Sequence, residues 1–172
     1  MRTICLALVL FALPVRAADY FVDSAGGADT NAGTSEAPFL TLARGVQALQ
    51  SNQGDRLFIT GVFREQFYIP RNGVVITGLG DAEVEGVTYG IQTQGTGITM
   101  ENILVRNCTY GLYPTGSGHV YRRMRFIENG TGVIHNGNAL STSRFVECEW
   151  YASNSVAVYV WGEFQNTYER CT

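Results

Sequence analysis

Three groups of side chains in this sequence could act on a ligand. "GDAEVEG" (80–86) places Glu83 and Glu85 on one face of a strand with Val84 on the other. By strand rise the two carboxylates stand roughly 7 Å apart, near the spacing of an acid–base pair that inverts a glycosidic bond. The same pattern is ordinary on a solvated strand. "YRRMRF" (121–126) points Arg123 and Arg125 outward, where guanidinium groups could clasp uronate carboxylates in bidentate fashion. One repeat away, Arg123 aligns with Asn102 and Glu147, with Arg170 beyond, and Arg125 aligns with Glu149. That alternation is also the pattern of cross-strand ion pairs, each worth at most about 1 kcal/mol when exposed. Tyr113, Tyr159 and Trp161 form the third group. Aromatics on a flat outer sheet could stack on sugar rings, stack on one another, or lie under further chain.

Other chemistries are narrowed by what the sequence holds. There is no lysine, so a lysine base is excluded and every positive side chain is arginine. His119 and His135 have no partner at metal-ligand spacing and no triad signature, which predicts solvent or turn positions and assigns no metal. "DSAGGADTNAGT" orders Asp29, Asn31 and Gly33 in the manner of a Ca²⁺ loop but lacks the bidentate glutamate, which favours a structural loop built on Asx turns. Asn107-Cys-Thr and Asn129-Gly-Thr fit the glycosylation sequon at turn positions.

Residues 1–17 read as a secretory signal peptide, with Arg2, the apolar run "ICLALVLFALPV" and a small-residue cleavage site near Ala17. The run is too short for a membrane span, and no later stretch qualifies, so the reading is a secreted, periplasmic or cell-envelope protein. Of the twelve basic residues Arg2 and Arg16 leave with the signal, so ten arginines remain against fifteen acids, a formal charge of −5. An acidic surface argues against a nucleic-acid partner. Cys108, Cys148 and Cys171 remain, an odd number, so at least one thiol is free or paired elsewhere.

The elements that position these groups are set by a repeat. "YGIQTQG" (89–95) returns as "YGLYPTG" (110–116), "TGVIHNG" (131–137) and "VAVYVWG" (156–162), at intervals of 21, 21 and 25 residues. Each copy is followed by a run such as "ITMENILV", "HVYRRMRF" or "SRFVECEW", whose alternating β-branched and aromatic residues mark strands. A unit this short cannot bury its own apolar face and must stack on its neighbours, which predicts a parallel β-helix. Equal positions then form ladders. Ile91, Leu112, Val133 and Val158 make one, and Met100, Tyr121, Phe145 and Tyr168 a second. Ile103, Met124, Cys148 and Cys171 make a third, with Val105, Phe126 and Trp150 beside it. In that third ladder Cys148 and Cys171 could form a disulfide or remain a stacked thiol pair. The closing glycine of each phrase is expected to make a turn.

Ahead of the coils, "TLARGVQAL" (41–49) spaces Leu42, Val46 and Leu49 at helical intervals behind Thr41 as N-cap, a lid for the open end of a stacked core. "YFVDSAGGADTNAGTSEAPFLTLARGVQAL" (20–49) resembles the opening segment of the pectin lyase-like superfamily of secreted right-handed β-helices, an aromatic strand leading through a Gly/Asp/Asn loop to a Pro-Phe-x-Thr helix start. "GDRLFITGVFRE" (54–65) resembles the next element of those proteins, with Val62-Phe63 where Thr-Tyr is common. The resemblance implies a right-handed hand, in line with the general preference of parallel crossovers. It also implies a polysaccharide partner, and a lyase that pairs a Lys or Arg base with Ca²⁺ or a hydrolase with clustered carboxylates. A non-catalytic carbohydrate-binding or surface solenoid is the other reading.

The expected architecture is therefore an all-β, right-handed, single-stranded parallel β-helix with an N-terminal capping α-helix. Residues 1–17 are the signal peptide, 18–56 the leading strand and capping helix, and 57–172 the coils. "NTYERCT" stops within a strand, so further coils or another subunit are expected to cover the last edge.

Overall fold

The computed structural model describes residues 17–136, 141–151, 156–161 and 164–172. The expected signal segment lies outside these, apart from Ala17. After β1 (Asp19–Asp23) and α1 (Leu42–Ala48), the chain enters β2 (Arg56–Phe63), β3 (Phe67–Ile69) and the long β4 (Val75–Glu85). Four rungs follow. They are β5 (Tyr89–Thr93), β6 (Thr99–Glu101) and β7 (Leu104–Arg106); β8 (Tyr110–Pro114), β9 (His119–Arg122) and β10 (Arg125–Ile127); β11 (Thr131–Asn136), β12 (Ser141–Val146) and β13 (Glu149–Tyr151); then β14 (Val158–Trp161) and β15 (Phe164–Glu169).

All pairings among the described residues are parallel. One sheet runs β13-β10-β7-β4-β6-β9-β12-β15, with β1 and β2 attached, and a second runs β14-β11-β8-β5-β3. The expected ladders are present in register: Ile91 pairs with Leu112, Leu112 with Val133 and Val133 with Val158. Met100 pairs with Tyr121, Tyr121 with Phe145 and Phe145 with Tyr168. The rings of Tyr121, Phe145 and Tyr168 stack at centroid distances of 5.0 and 5.1 Å. One continuous apolar core runs from Val22 to Cys148.

Each strand-like run is broken by a corner that the period-two reading did not contain. Tyr121 and Met124 are both fully buried although three residues apart, which a straight strand forbids. The chain resolves this at Arg123, whose φ of 48° turns it between β9 and β10. The same left-handed corner recurs at Asn102 (φ 60°), Glu147 (φ 55°) and Arg170 (φ 51°), and a second column of corners holds Asn107 and Glu128. Each of the first three rungs is thus three short strands joined by fixed bends.

The glycines that close the first two phrases, Gly95 and Gly116, have a different role from the one expected, while Gly137 and Gly162 lie outside the described residues. A Cβ on Gly95 would lie 1.7 Å from the carbonyl oxygen of Arg71, and one on Gly116 would lie 1.6 Å from that of Gly95. These glycines let successive backbones touch. The left-handed turn falls two residues later, at Gly97 and Gly118.

The helix lid forms as its pattern predicts. Thr41 accepts a hydrogen bond from the Arg44 amide, and Leu42, Val46 and Leu49 are buried. Asp29 accepts from the amides of Leu40 and Thr41 and from the Thr41 hydroxyl at 2.9–3.0 Å, fixing the chain before the helix. Asn31 donates to Pro38 O at 2.9 Å. The Asp29 loop is therefore structural. Asn129 is not on an exposed turn: it is 5% exposed, accepts from the Cys108 amide at 3.0 Å and donates to Val105 O at 2.9 Å. Its sequon is closed to modification in the fold.

Candidate functional site

The first sheet carries the charges, and one irregularity opens a site in it. Thr77 pairs with Glu101 and Glu83 with Leu104, so the five residues 78–82 lie opposite only Asn102 and Ile103. Against β2 the register also shifts, between Thr60 and Val62. The surplus leaves Leu79, Gly80 and Asp81 exposed before Ala82 turns back into the core, a β-bulge extended by two residues. It walls one side of a cleft of about 380 Å³ at the corner, and Glu83, Asn102, Ile103, Leu104, Arg123 and Arg125 complete the lining.

Three of the sequence candidates, Glu83, Arg123 and Arg125, thus meet in one place, while Glu85 stands one step beyond. Glu83 and Glu85 are neither a solvated pair nor an unencumbered acid–base pair. They are 8% and 9% exposed, and Arg106 bridges them, closely to Glu83 and at 3.1 Å to Glu85, while Arg64 takes the other side of Glu85. Burial pushes the Glu85 carboxyl up, but its hydrogen bond with Glu83 and the charges of Arg64 and Arg106 outweigh this and hold it below the usual glutamate range. A general acid needs the opposite shift.

Arg123 donates to Asn102 at 2.7 Å and Glu101 at 2.8 Å, and its far edge is 4.0 Å from Glu147. Arg125 donates its Nε to Glu149 at 3.2 Å. The cross-strand ion pairs expected from the columns are present, yet both arginines remain about half exposed and line the cleft. Asp81 is exposed and has no hydrogen bond or ion pair among the described residues. Sequence reading passed over it because an isolated aspartate after glycine is ordinary turn chemistry. The signal that marks it is the surplus of residues between two aligned strand positions.

The aromatic candidates lie on the second sheet, away from the cleft. Tyr68 pairs with Gln92, Gln92 with Tyr113, and Ile134 with Tyr159, which places Tyr68 and Tyr159 in the outward column expected for Tyr113. Tyr68 and Tyr159 are 39% and 43% exposed. Tyr113 is half-buried, with its ring 5.7 Å from that of Tyr89, which stacks on Tyr110 at 5.1 Å. Trp161 pairs with Asn136 at the end of β14, and its side chain lies outside the described set.

His119 and His135 are neither solvent nor turn residues. They are 1% and 0% exposed, inside the solenoid. His119 sits in register with Ser143 and accepts weakly from the Ile98 amide at 3.4 Å, and His135 meets the Asn166 side-chain amide at 3.1 Å. Burial, and for His119 also the proximity of His135, pushes each imidazole down to about 4. Cys148 and Cys171 are free thiols that donate to backbone carbonyls, and burial pushes the Cys148 thiol up to about 11.

Calcium does not fit the described residues. The Asp29 carboxylate is already taken by the helix start, Glu83 and Glu85 face guanidinium groups, and no cluster of three His, Cys, Asp or Glu with metal geometry occurs among the described residues.

The stacked parallel rungs superimpose on those of known proteins. A pectin methylesterase, solved in complex with a hexasaccharide, superimposes with a TM-score of 0.64 at 13% identity, over 88% of this chain and 54% of that one. The fold is a pectin lyase-like right-handed parallel β-helix. A rhamnogalacturonan lyase matches at TM-score 0.52 and 14% identity, covering 90% of this chain and 56% of that one. The lacto-N-biosidase of glycoside hydrolase family 136 from Eubacterium ramulus matches at TM-score 0.57 and 14% identity, covering 83% and 36%. The β-helix described here thus spans about half the length of the methylesterase and the lyase. No protein-family model matches the sequence, and no curated protein sequence does. No helix among the described residues is long and apolar enough to cross a membrane.

Proposed function

We propose that this chain is a secreted, polysaccharide-directed β-helix that takes an acidic saccharide in the corner cleft and acts by lyase-type chemistry. The observation that carries the reading is the cleft's composition: two half-exposed arginines, Arg123 and Arg125, opposite the one unpaired carboxylate, Asp81. The arginines would neutralise a uronate carboxylate and so ease loss of the proton on the adjacent carbon. Asp81 would accept that proton, the bond from the β-carbon to the glycosidic oxygen would break, and water would protonate the leaving oxygen. A hydrolase pair is less well supplied, because the second lining carboxylate, Glu83, is held by Arg106. The similarity to saccharide-active β-helices supports the substrate class.

The test is incubation with polygalacturonate, alginate and rhamnogalacturonan while following the ultraviolet absorbance of an unsaturated uronate. Activity that is abolished by Asp81→Asn and falls at least tenfold in Arg125→Ala supports the reading. Saturable binding of any of these polymers without absorbance change would instead make the protein a binding solenoid, the reading favoured by the ion pairs that already engage both arginines.

A further inference from the structure

The second sheet differs chemically from the first. Its five strands, β3, β5, β8, β11 and β14, contain no Asp, Glu, Lys or Arg, whereas every ion pair among the described residues lies on the first sheet or its corners. One outward column of this uncharged face reads Tyr68, Gln92, Tyr113, Ile134, Tyr159. Tyrosine occupies alternate rungs, so its rings repeat at twice the strand spacing, about 10 Å. Glutamines surround the N-terminal end of the column: Gln66 donates to Gln92 at 2.8 Å, and the Tyr68 hydroxyl is close to Gln94.

We infer that this column is a second saccharide surface, for a neutral polysaccharide chain lying along the solenoid axis with alternate pyranose rings over Tyr68, Tyr113 and Tyr159. Tyrosine also suits a protein interface, but here the rings recur at a fixed interval along one straight column beside side-chain amides, which matches a repeating hydroxylated ligand with apolar ring faces. The absence of charge on a protein that is acidic overall selects a neutral chain, since an acidic one would gain nothing here and is served by the arginines of the other sheet. The spacing of alternate rungs is close to that of two residues in an extended β-1,4-linked chain. The surface does not depend on the cleft's chemistry.

The experiment is calorimetric titration of the full chain with neutral β-1,4-linked hexasaccharides of glucose, xylose and mannose, at low and at 0.5 M salt. At least one is expected to bind, with affinity unchanged by salt because no ion pair is involved. Tyr68→Ala with Tyr159→Ala should weaken it at least tenfold, Tyr68→Phe with Tyr159→Phe should retain most of it, and the response to acidic polymers should be unaltered. Failure of all three sugars to bind, or binding that survives the double alanine variant, overturns the inference. So does a concentration-dependent dimer that the double alanine variant abolishes, since the face would then belong to a second copy. Loss of acidic-polymer activity in Asp81→Asn leaves this surface untouched, so the two readings fail separately.

Discussion

Arg123 donates its Nε to the side-chain oxygen of Asn102 at 2.7 Å, and both residues carry left-handed backbone, at φ 48° and 60°. The contact joins equivalent corners of successive rungs. Asparagine visits this conformation readily, while arginine does so at a cost. Arg123→Asn should therefore keep its denaturation midpoint within about 1 kcal/mol of the parent while losing saccharide binding, and Arg123→Val should lose about 2 kcal/mol through a β-branched residue in a strained corner. Urea unfolding of the two variants measures the difference.

Gly116 tests the touching backbones. Alanine there would drive its Cβ into the Gly95 carbonyl, and no rotamer can relieve a backbone clash. Gly116→Ala should cost about 3 kcal/mol or more. Gly118→Asn, two residues on at a φ of 71° where a Cβ is at least 3.7 Å from its nearest neighbours, should cost about 1 kcal/mol or less. Thermal melts of the pair should separate clearly.

The buried histidines set an acid limit. His119 and His135 stay neutral in the fold down to about 4, whereas unfolded imidazole protonates near 6.5. The unfolded chain therefore binds protons first, so their contribution is complete above pH 6.5 and is lost as pH falls towards 4. Each is worth about 3 kcal/mol over that window. Stability measured in urea between pH 7.5 and 4 should fall steeply, and the slope should shrink in His119→Gln.

Arg106 holds two poorly exposed carboxylates at once. Its removal leaves Glu83 beside Glu85 with only Arg64 to compensate. Arg106→Ala should lower the denaturation midpoint well beyond Arg56→Ala, whose partner Asp19 is more exposed. Adding Glu83→Gln and Glu85→Gln should recover part of the loss.

Thiol chemistry should separate the cysteines. With its thiol buried and its proton held, Cys148 should resist alkylation in the native chain, while the half-buried Cys171 reacts sooner. Peptide mapping after timed iodoacetamide treatment reads both rates. A non-reducing mass lower by two hydrogen atoms would show instead that the thiols are oxidised to a disulfide in solution.

The ladders were legible in the sequence because packing dictates them: Met100, Tyr121, Phe145 and Tyr168 must stack whatever lies between. The corners were not, since Arg123 and Glu147 are poor left-handed residues and carry no local signature of the bend. His119 misled for a related reason: a polar residue after Ser-Gly reads as a turn, and only the register with Ser143 shows it facing inward. Asp81 needed register as well. Where the chemistry depends on which residues are surplus to a rung, composition is silent until the rungs are aligned.

The bulge of residues 78–82 also has a bearing on how such a protein can change. On the β6/β7 side it leaves the ladder at Thr77 and rejoins it at Glu83, while towards β2 Gly78 and Leu79 stay paired with Ile59 and Thr60 and only residues 80–82 are surplus, and each rung contacts only its neighbours. Doubling the length of that excursion would cost only about 0.6 kcal/mol in closure entropy. A new wall for the cleft can therefore be grafted at one corner without disturbing the registers on either side, so the reach of the site and the stability of its scaffold are free to vary independently.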